Sequence, residues 1–532
     1  MTTTGEKLAQ LLDAYGIEII SGIPGTHTIE LYRGLPQTRI RHITPRHEQG
    51  AGFLADGYAR VTGKPAACIT VSGPGALNIA TAMGQALADS IPMLVISADN
   101  KTYQKGLGEG RLHETSNLQA MMAECSRWSH TLARPDELPG VIARAFAIFR
   151  SERPGPVHLT IPLDVITASA DHVSDEPWPL PLPPAPHPAQ VHQAAQMINQ
   201  SDTPVIALGG GAANAPGLAV TLAETIDAPV TTTHNAKGIV PPAHPLYTGG
   251  SPTQEPIQQL YAEADLVLAI GTELGETDYD FFFKEATRMS GGLIRIDIDP
   301  RQFSRNEKPS LSILGDAGLS IQALLPLLES DTNRQGAKRA AAVRESVSKE
   351  FHPDYQAFFH TLKEALPDLI LIGDSTQPAY FAASQYDAPS PRSFAAAGTG
   401  YGTLGFALPA SFGAKLGQPD RPVVALIGDG GLQFTINELS TAVEAKIAVA
   451  IIAWNNQCYG QIALNFRDAG MEPIACDIHT PDFIGIAKAY GCHAERVDSH
   501  SELRRALLQA QDRNVPSVIE VQQDSFIETQ GG

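Results

Sequence analysis

Cysteine is scarce and scattered in this chain. Cys68, Cys125, Cys458, Cys476 and Cys492 are the five thiols in 532 residues, with no C-x-x-C pair among them. That spacing excludes a disulfide framework and fits reduced thiols in a cytosolic protein. Positive charge is also short: 38 Lys and Arg face 57 Asp and Glu, a net charge of −19. Such a balance argues against a general binder of nucleic acid or anionic membrane. The apolar run IAVAIIAW falls far short of a membrane span, and the start, MTTTGEKLAQLL, lacks the basic-then-apolar build of a signal peptide. There is no short-period repeat and no low-complexity tail. The histidines show no recurring ligand spacing, which leaves a His-rich metal site without support. The expectation is a soluble, cytoplasmic protein with neither nucleic-acid nor membrane partners.

What is present is the composition of an ordinary globular protein, 43% hydrophobic and 18% charged, in a chain too long for one core. DEPWPLPLPPAPHPAQ is proline-dense and reads as an extended, semi-rigid connector. ESDTNRQGAKRAAAVRESVSKE is charged and Ala-rich and reads as an exposed helix. They divide the chain into domains over residues 1–170, 188–328 and 352–532. Each alternates short β-branched runs with helical patterns, which implies three doubly wound, mostly parallel α/β sheets. PAACITVSGPG, PMLVISADN, TPVIALGGGAAN, ADLVLAIGTE, GLIRIDIDP, DLILIGDST, RPVVALIGDGG and IAVAIIAWNN read as buried strands, and NIATAMGQALADS as a helix. Ligands of such sheets gather at the carboxyl ends of the strands, where these glycine-rich turns lie.

In GDGGLQFTINELSTAVEAKIAVAIIAWNN the turn Gly428-Asp429-Gly430-Gly431 closes one strand, and Asn455-Asn456 closes the next. Glycines let the backbone turn sharply and approach a ligand, and N–H groups at a helix start hold phosphate oxygens. Asp429 is then placed to hold the divalent cation that a diphosphate brings, with an amide oxygen and a main-chain carbonyl completing a hard-cation site. Either piece alone fits an ordinary turn; two strand ends in tandem do not fit that account easily. The pattern of GDG, a long spacer and NN resembles the cofactor motif of thiamine-diphosphate (ThDP) enzymes. The resemblance extends along nearly the whole chain, in the pyrimidine–middle–diphosphate domain order of the acetolactate synthase and pyruvate decarboxylase superfamily. It implies that Asp429, the Asn456 side chain and the Cys458 carbonyl ligate Mg²⁺, with Gly430, Gly431, Tyr459 and Gly460 lining the diphosphate.

HEQGAGFLADGYAR is similar to the same family's glutamate motif, which makes Glu48 the carboxyl that acts on the coenzyme's aminopyrimidine. In the family mechanism that contact favours the imino tautomer and leads to the ylide. Burial would raise such a carboxyl's pKa and let it share a proton at neutral pH. In GTGYGTLGFALPA, Gly402 matches the residue whose carbonyl accepts from the coenzyme's amino group, and Leu404 the bulky residue beneath the bent coenzyme. Ser375 and Thr376, in IGDSTQPAYF, fall where a diphosphate contact is expected, and SGPGALN resembles the family's glycine turn beside the active site. In HETSNLQAMM, Gln119 aligns with an active-site glutamine of the synthase and benzaldehyde-lyase branches, and GIPGTHTIELY puts His27 where the benzaldehyde-lyase branch carries a catalytic histidine.

GTGYGTLG also matches G-x-G-x-x-G, the dinucleotide fingerprint, but no strand is expected over the preceding RSFAAA, and no acid closes a second strand at the right distance. A dinucleotide-dependent oxidoreductase is therefore the weakest of three readings. The middle domain has GTELGETDYD where the synthases carry an arginine-bearing flavin contact, so FAD is expected to be absent or vestigial. The paired histidines of the decarboxylase branch are missing. In GIPGTHTIELYRGLP and IRHITPRHEQGAGFLADGYARVTGKP, and in GDSTQP, the chain looks most like the 5-guanidino-2-oxopentanoate (2-ketoarginine) decarboxylase group, which implies decarboxylation of a 2-oxo acid with an enamine then protonated; an acetolactate-synthase-like carboligase is the alternative. A guanidinium substrate calls for an acidic pocket wall, for which Glu109, Glu114 and Asp468 stand in plausible loops. In this family the coenzyme bridges two subunits, which implies a homodimer or homotetramer.

Overall fold

A computed structural model describes residues 1–280, 289–330 and 332–528. Residue 331 of the charged connector and residues 529–532 at the end of the third domain lie outside the described residues. The chain forms three parallel-sheet α/β domains. The first sheet has six strands: β1 (Ile19–Gly22), β2 (Arg41–Ile43), β3 (Ala66–Thr70), β4 (Met93–Asp99), β5 (Trp128–Thr131) and β6 (Pro156–Pro162). Their spatial order is β2-β1-β3-β4-β6-β5. The second sheet has five: β7 (Pro204–Leu208), β8 (Val230–Thr232), β9 (Leu266–Ile270), β10 (Gly292–Asp297) and β11 (Leu311–Leu314), ordered β11-β10-β9-β7-β8. The third again has six: β12 (Ile370–Gly373), β13 (Phe394–Ala396), β14 (Val423–Gly428), β15 (Ala450–Asn455), β16 (His493–Val497) and β17 (Ser517–Gln522), ordered β13-β12-β14-β15-β17-β16.

The strands read as continuous apolar runs because both faces of each sheet are covered. Alternation sorts the side chains. In β14 and β15, Val423, Ala425, Ile427, Ile451 and Ala453 face one core, and Val424, Leu426, Ala450, Ile452 and Trp454 face another. The first of these cores is shared with the first domain. There the helix Glu48–Thr62 lies on the helix Ala407–Gly417, with Phe53 edge-on to Phe406 at 5.4 Å between ring centroids. The backbones touch at Gly57 and Gly413, where any Cβ would collide with the carbonyls of Ala410 and Leu54. Glycine at both positions lets one hydrophobic core run through two domains.

Two expectations need correction. RSFAAA does form a strand: β13 pairs with β12 in the register Leu371↔Phe394 to Gly373↔Ala396. Its small side chains suit the site, since a Cβ on Gly373 would stand 3.4 Å from that of Ala396. Sheet pairing decided there against a weak local signal. The charged connector does form a helix, Gly336–Lys349, but its Ala340 and Val347 are fully buried and it packs on the helix Glu255–Glu263 of the middle domain. The proline-rich stretch before Pro188 is extended coil.

Candidate active site

β14 and β15 lie side by side, with Gly428 opposite Trp454, so their carboxyl ends bring Asp429 and Asn456 to one sheet edge. Asp429 opens the helix Asp429–Thr435 and is almost fully buried. Its Oδ2 accepts from Thr480 Oγ1 at 2.6 Å, and desolvation holds its pKa above the ordinary carboxylate value. Asn456 donates from Nδ2 to Gln523 Oε1 at 3.2 Å, which turns its Oδ1 toward Cys458 N at 3.1 Å. That oxygen keeps a second lone pair for a cation. Gln457, between them, has φ 56°, a left-handed turn that folds the Cys458 segment back over the strand end. The neighbouring Asn455 turns the other way and donates to Glu520 at 2.7 Å inside the sheet, so only one of the paired amides serves the edge.

The glycines around this edge make a cradle. A Cβ on Gly428 would come 3.0 Å from Thr376 Oγ1, one on Gly430 would come 2.6 Å from the Tyr459 ring, and one on Gly460 would come 2.8 Å from Asn456 Nδ2. Thr376 stands just before the helix Gln377–Gln385 and Gly460 opens the helix Gly460–Asp468, so both begin at the cradle. Backbone N–H groups at helix starts, one carboxylate and amide and carbonyl oxygens are the donor set that a diphosphate with a hard cation needs. Ser375 Oγ donates to the carbonyl of Gly402 at 3.3 Å, and Leu404 is half-buried two residues on.

In the first domain, Glu48 opens its helix behind an N-cap at His47, whose Nδ1 accepts from Gln49 N at 3.1 Å. Its Oε2 accepts from Asn78 at 2.9 Å, and its Oε1 lies 3.3 Å from where a Gly75 Cβ would stand. His27 is buried after β1; its Nδ1 is 3.2 Å from Ser72 Oγ and its ring 5.1 Å from that of His113. Desolvation, and after it the nearby His113, lower the His27 pKa, leaving a neutral imidazole at pH 7. Gln119 lies further out: its amide donates to the Ser129 carbonyl at 3.1 Å and accepts from Thr131 at 2.8 Å, on β5.

Sequence reasoning missed several partners. His113 supplies in space a second imidazole that no HH dipeptide announced. Glu438, inside the motif first singled out, is buried and accepts from Arg46 N at 3.1 Å, tying the residues ahead of Glu48 to the third domain. Thr480 arrives from a later loop. The three acids proposed for a guanidinium are differently placed. Glu114 is held by Gly108 N at 2.8 Å and Arg111 N at 3.0 Å, and Glu109 pairs with Arg111 at 2.8 Å. Asp468 is on the last turn of a helix, not in a loop.

Two α/β sheets that each present polar groups at their strand ends, one suited to a diphosphate and one carrying a carboxyl and imidazoles, define a coenzyme-dependent enzyme. Models of the thiamine pyrophosphate enzymes match in all three domains: the N-terminal TPP-binding domain over residues 2–123, the central domain over 191–324 and the C-terminal TPP-binding domain over 374–521. The chain is 43% identical over 517 residues, 95% of itself and 91% of the relative, to the probable 2-ketoarginine decarboxylase AruI of Pseudomonas aeruginosa. It is 33% identical to the acetolactate synthase isozyme 1 large subunit of Escherichia coli, over 98% of this chain and 94% of that one. A probable acetolactate synthase large subunit of Methanocaldococcus jannaschii is 32% identical over 97% and 91%. The chain belongs to the thiamine-pyrophosphate-dependent enzymes.

Proposed function

We propose that the protein is a ThDP- and Mg²⁺-dependent decarboxylase of a 2-oxo acid, with 5-guanidino-2-oxopentanoate as the substrate. The observation that carries the substrate is the 43% identity, over 95% of the chain, to a relative named a probable 2-ketoarginine decarboxylase. The glycine cradle around Asp429 fits the coenzyme's diphosphate, because side chains there would fill it. Asp429, Asn456 Oδ1 and the Cys458 carbonyl hold Mg²⁺ in this reading, and Ser375, Thr376, Gly430, Gly431, Tyr459 and Gly460 line the diphosphate.

Bound ThDP supplies a carbon nucleophile for the 2-oxo carbon and accepts the electron pair released with CO2. The chain's residues orient and protonate. The Glu48 carboxyl would bind the aminopyrimidine and hold or release the proton shared with it. The Gly402 carbonyl would accept from its amino group, and Leu404 would pack against the coenzyme. Neutral His27, hydrogen-bonded to Ser72 and beside His113, has a ring nitrogen able to take up or release a proton near the reacting carbon. Gln119 contributes a hydrogen bond at the rim.

Glu48 and Asp429 are brought together from two copies of the chain in a homodimer, the minimal unit of a dimer or tetramer. Exposed apolar side chains accompany both halves: Ile29, Leu77 and Leu112 in the first domain, and Tyr401, Phe434 and Ile462 in the third. FAD is left out of this scheme. Where the three domains meet is a cavity of about 280 Å³ whose lining includes Arg153 and Glu273, paired Nη2 to Oε2 at 2.8 Å, the glutamate belonging to the stretch that lacks the flavin-binding arginine. Among the described residues no helix is long and apolar enough to cross a membrane; we assign the protein to the cytoplasm on its free thiols.

The test is CO2 release from a panel of 2-oxo acids, with and without ThDP and Mg²⁺. Release of CO2 and 4-guanidinobutanal from the guanidino acid, dependent on both, is expected. A C–C coupled product instead would favour the carboligase reading, which the acetolactate synthase relatives support. NAD(H) binding with no ThDP dependence would overturn both.

A further inference from the structure

Gln85, near the end of the helix Pro74–Ala88, is fully buried, and both ends of its amide are used. Nε2 donates to Asp89 Oδ2 at 2.8 Å. Oε1 accepts from Thr403 Oγ1 at 2.7 Å and from Thr403 N at 3.3 Å. A carboxylate only accepts, so Asp89 requires the amide to show it the NH2 group, which leaves the oxygen for Thr403. Asp89 is itself fixed, by Arg60 Nη2 at 2.6 Å and by Thr399 Oγ1 at 2.8 Å. Arg60 in turn pairs with buried Asp56 and lies 5.1 Å from the Phe406 ring centroid. A buried polar chain with every partner in place fixes one geometry.

Thr403 stands between Gly402 and Leu404. The loop around it turns on two left-handed glycines, Gly402 at φ 77° and Gly405 at φ 83°, and its start is held by Gly402 N to the Ala397 carbonyl at 3.1 Å and by Ser375 Oγ to the Gly402 carbonyl at 3.3 Å. Asp374 pins its far end, accepting from Gly405 N at 3.2 Å and Ala407 N at 2.9 Å. Gln85 reaches its middle from a different domain.

We propose that Gln85 is a positioning residue for the coenzyme: its amide, oriented by Asp89 and Arg60, fixes Thr403 and thereby the Gly402 carbonyl and the Leu404 side chain. This rests on the ThDP reading above. Gln85→Met keeps the side-chain length and removes both the acceptor for Thr403 and the donor to Asp89; Thr403→Val removes only the hydroxyl, and Thr403→Ser retains it. In the holoenzyme with Mg²⁺, Gln85→Met and Thr403→Val are expected to raise the ThDP concentration for half-saturation about tenfold, on the scale of one lost hydrogen bond. At saturating ThDP both should weaken the near-ultraviolet circular dichroism of the bound aminopyrimidine, with the 2-oxo acid KM changed less than twofold. Thr403→Ser should restore both readouts. The double variant should lose little more than either single one, as for two partners of one interaction. Because Thr403 is a half-buried loop residue, its variants keep the test open if Gln85→Met fails to fold. Wild-type half-saturation and dichroism in Thr403→Val and the folded Gln85→Met protein would overturn the positioning role and leave the ThDP reading standing. A wild-type enzyme that neither binds nor needs ThDP would sink that reading and this proposal with it.

Discussion

The third-domain half of the site and the first-domain half are assembled over different reaches of chain. Asp429 and Asn456 close adjacent strands of one sheet, so the pairing of β14 with β15 is enough to bring them together. His27 and His113 come from separate loops of the first domain and Glu48 from a helix start, and the segment ahead of Glu48 is fastened to Glu438 of the third. The first arrangement is local and stands on backbone geometry, with glycines that leave room for a ligand. The second is collective, and its side chains depend on the packing of two domains. Damage to the third-domain half should therefore show as lost coenzyme binding, and damage to the first-domain half as lost turnover with coenzyme still bound.

Glu48→Gln puts that contrast at its strongest. Loss of its proton exchange should lower kcat about 1,000-fold, with ThDP binding and the circular dichroism of the fold retained; unchanged turnover would remove Glu48 from its role. Asp429→Asn should do the opposite, weakening Mg²⁺-ThDP retention by at least about 100-fold, on the scale of disrupted metal sites. Equilibrium dialysis measures it, and wild-type retention would break the assignment. Thr480→Val, which removes the hydroxyl donated to Asp429, should weaken the same binding about tenfold, with kcat at saturation little changed.

The smallest effect is on stability rather than chemistry. His158 is buried in the first domain between Ser97 and Ser129, each at 2.9 Å, and burial pushes its pKa down to about 3. The unfolded chain takes up this proton below its ordinary value of 6.5, and the folded chain refuses it until about 3. Its contribution to stability is thus full above pH 6.5 and falls by about 1.4 kcal/mol per unit as pH drops through that window. Denaturant unfolding at pH 6.5 and 5.5 should show this slope in the wild type and a shallower one in His158→Asn. Equal slopes would mean that the imidazole protonates freely in the fold.

Much of the local half was legible in the sequence. The strand ends, the acid between glycines and the amide one strand later are short-range signals, and the parallel α/β architecture followed from alternating apolar runs. The collective half was less legible. His113 carries no signal of its own until the loop after β4 sets it beside His27, and Gln85 reads as one more residue of a buried helix until Thr403 arrives opposite it. The strand over RSFAAA was missed because three alanines have little strand propensity, and only the neighbouring β12 gives them a partner.

By itself the sequence determined the parallel α/β architecture, the three-domain order and the acid, amide and glycines at the carboxyl ends of β14 and β15, because backbone turns and hydrophobic periodicity are encoded over short spans. Tertiary structure alone decided which of the paired asparagines faces that sheet edge, which acids are consumed by their own loop and which amide meets Thr403. Those outcomes depend on hydrogen-bond partners brought from distant segments, and a buried polar group takes the orientation that its partners allow.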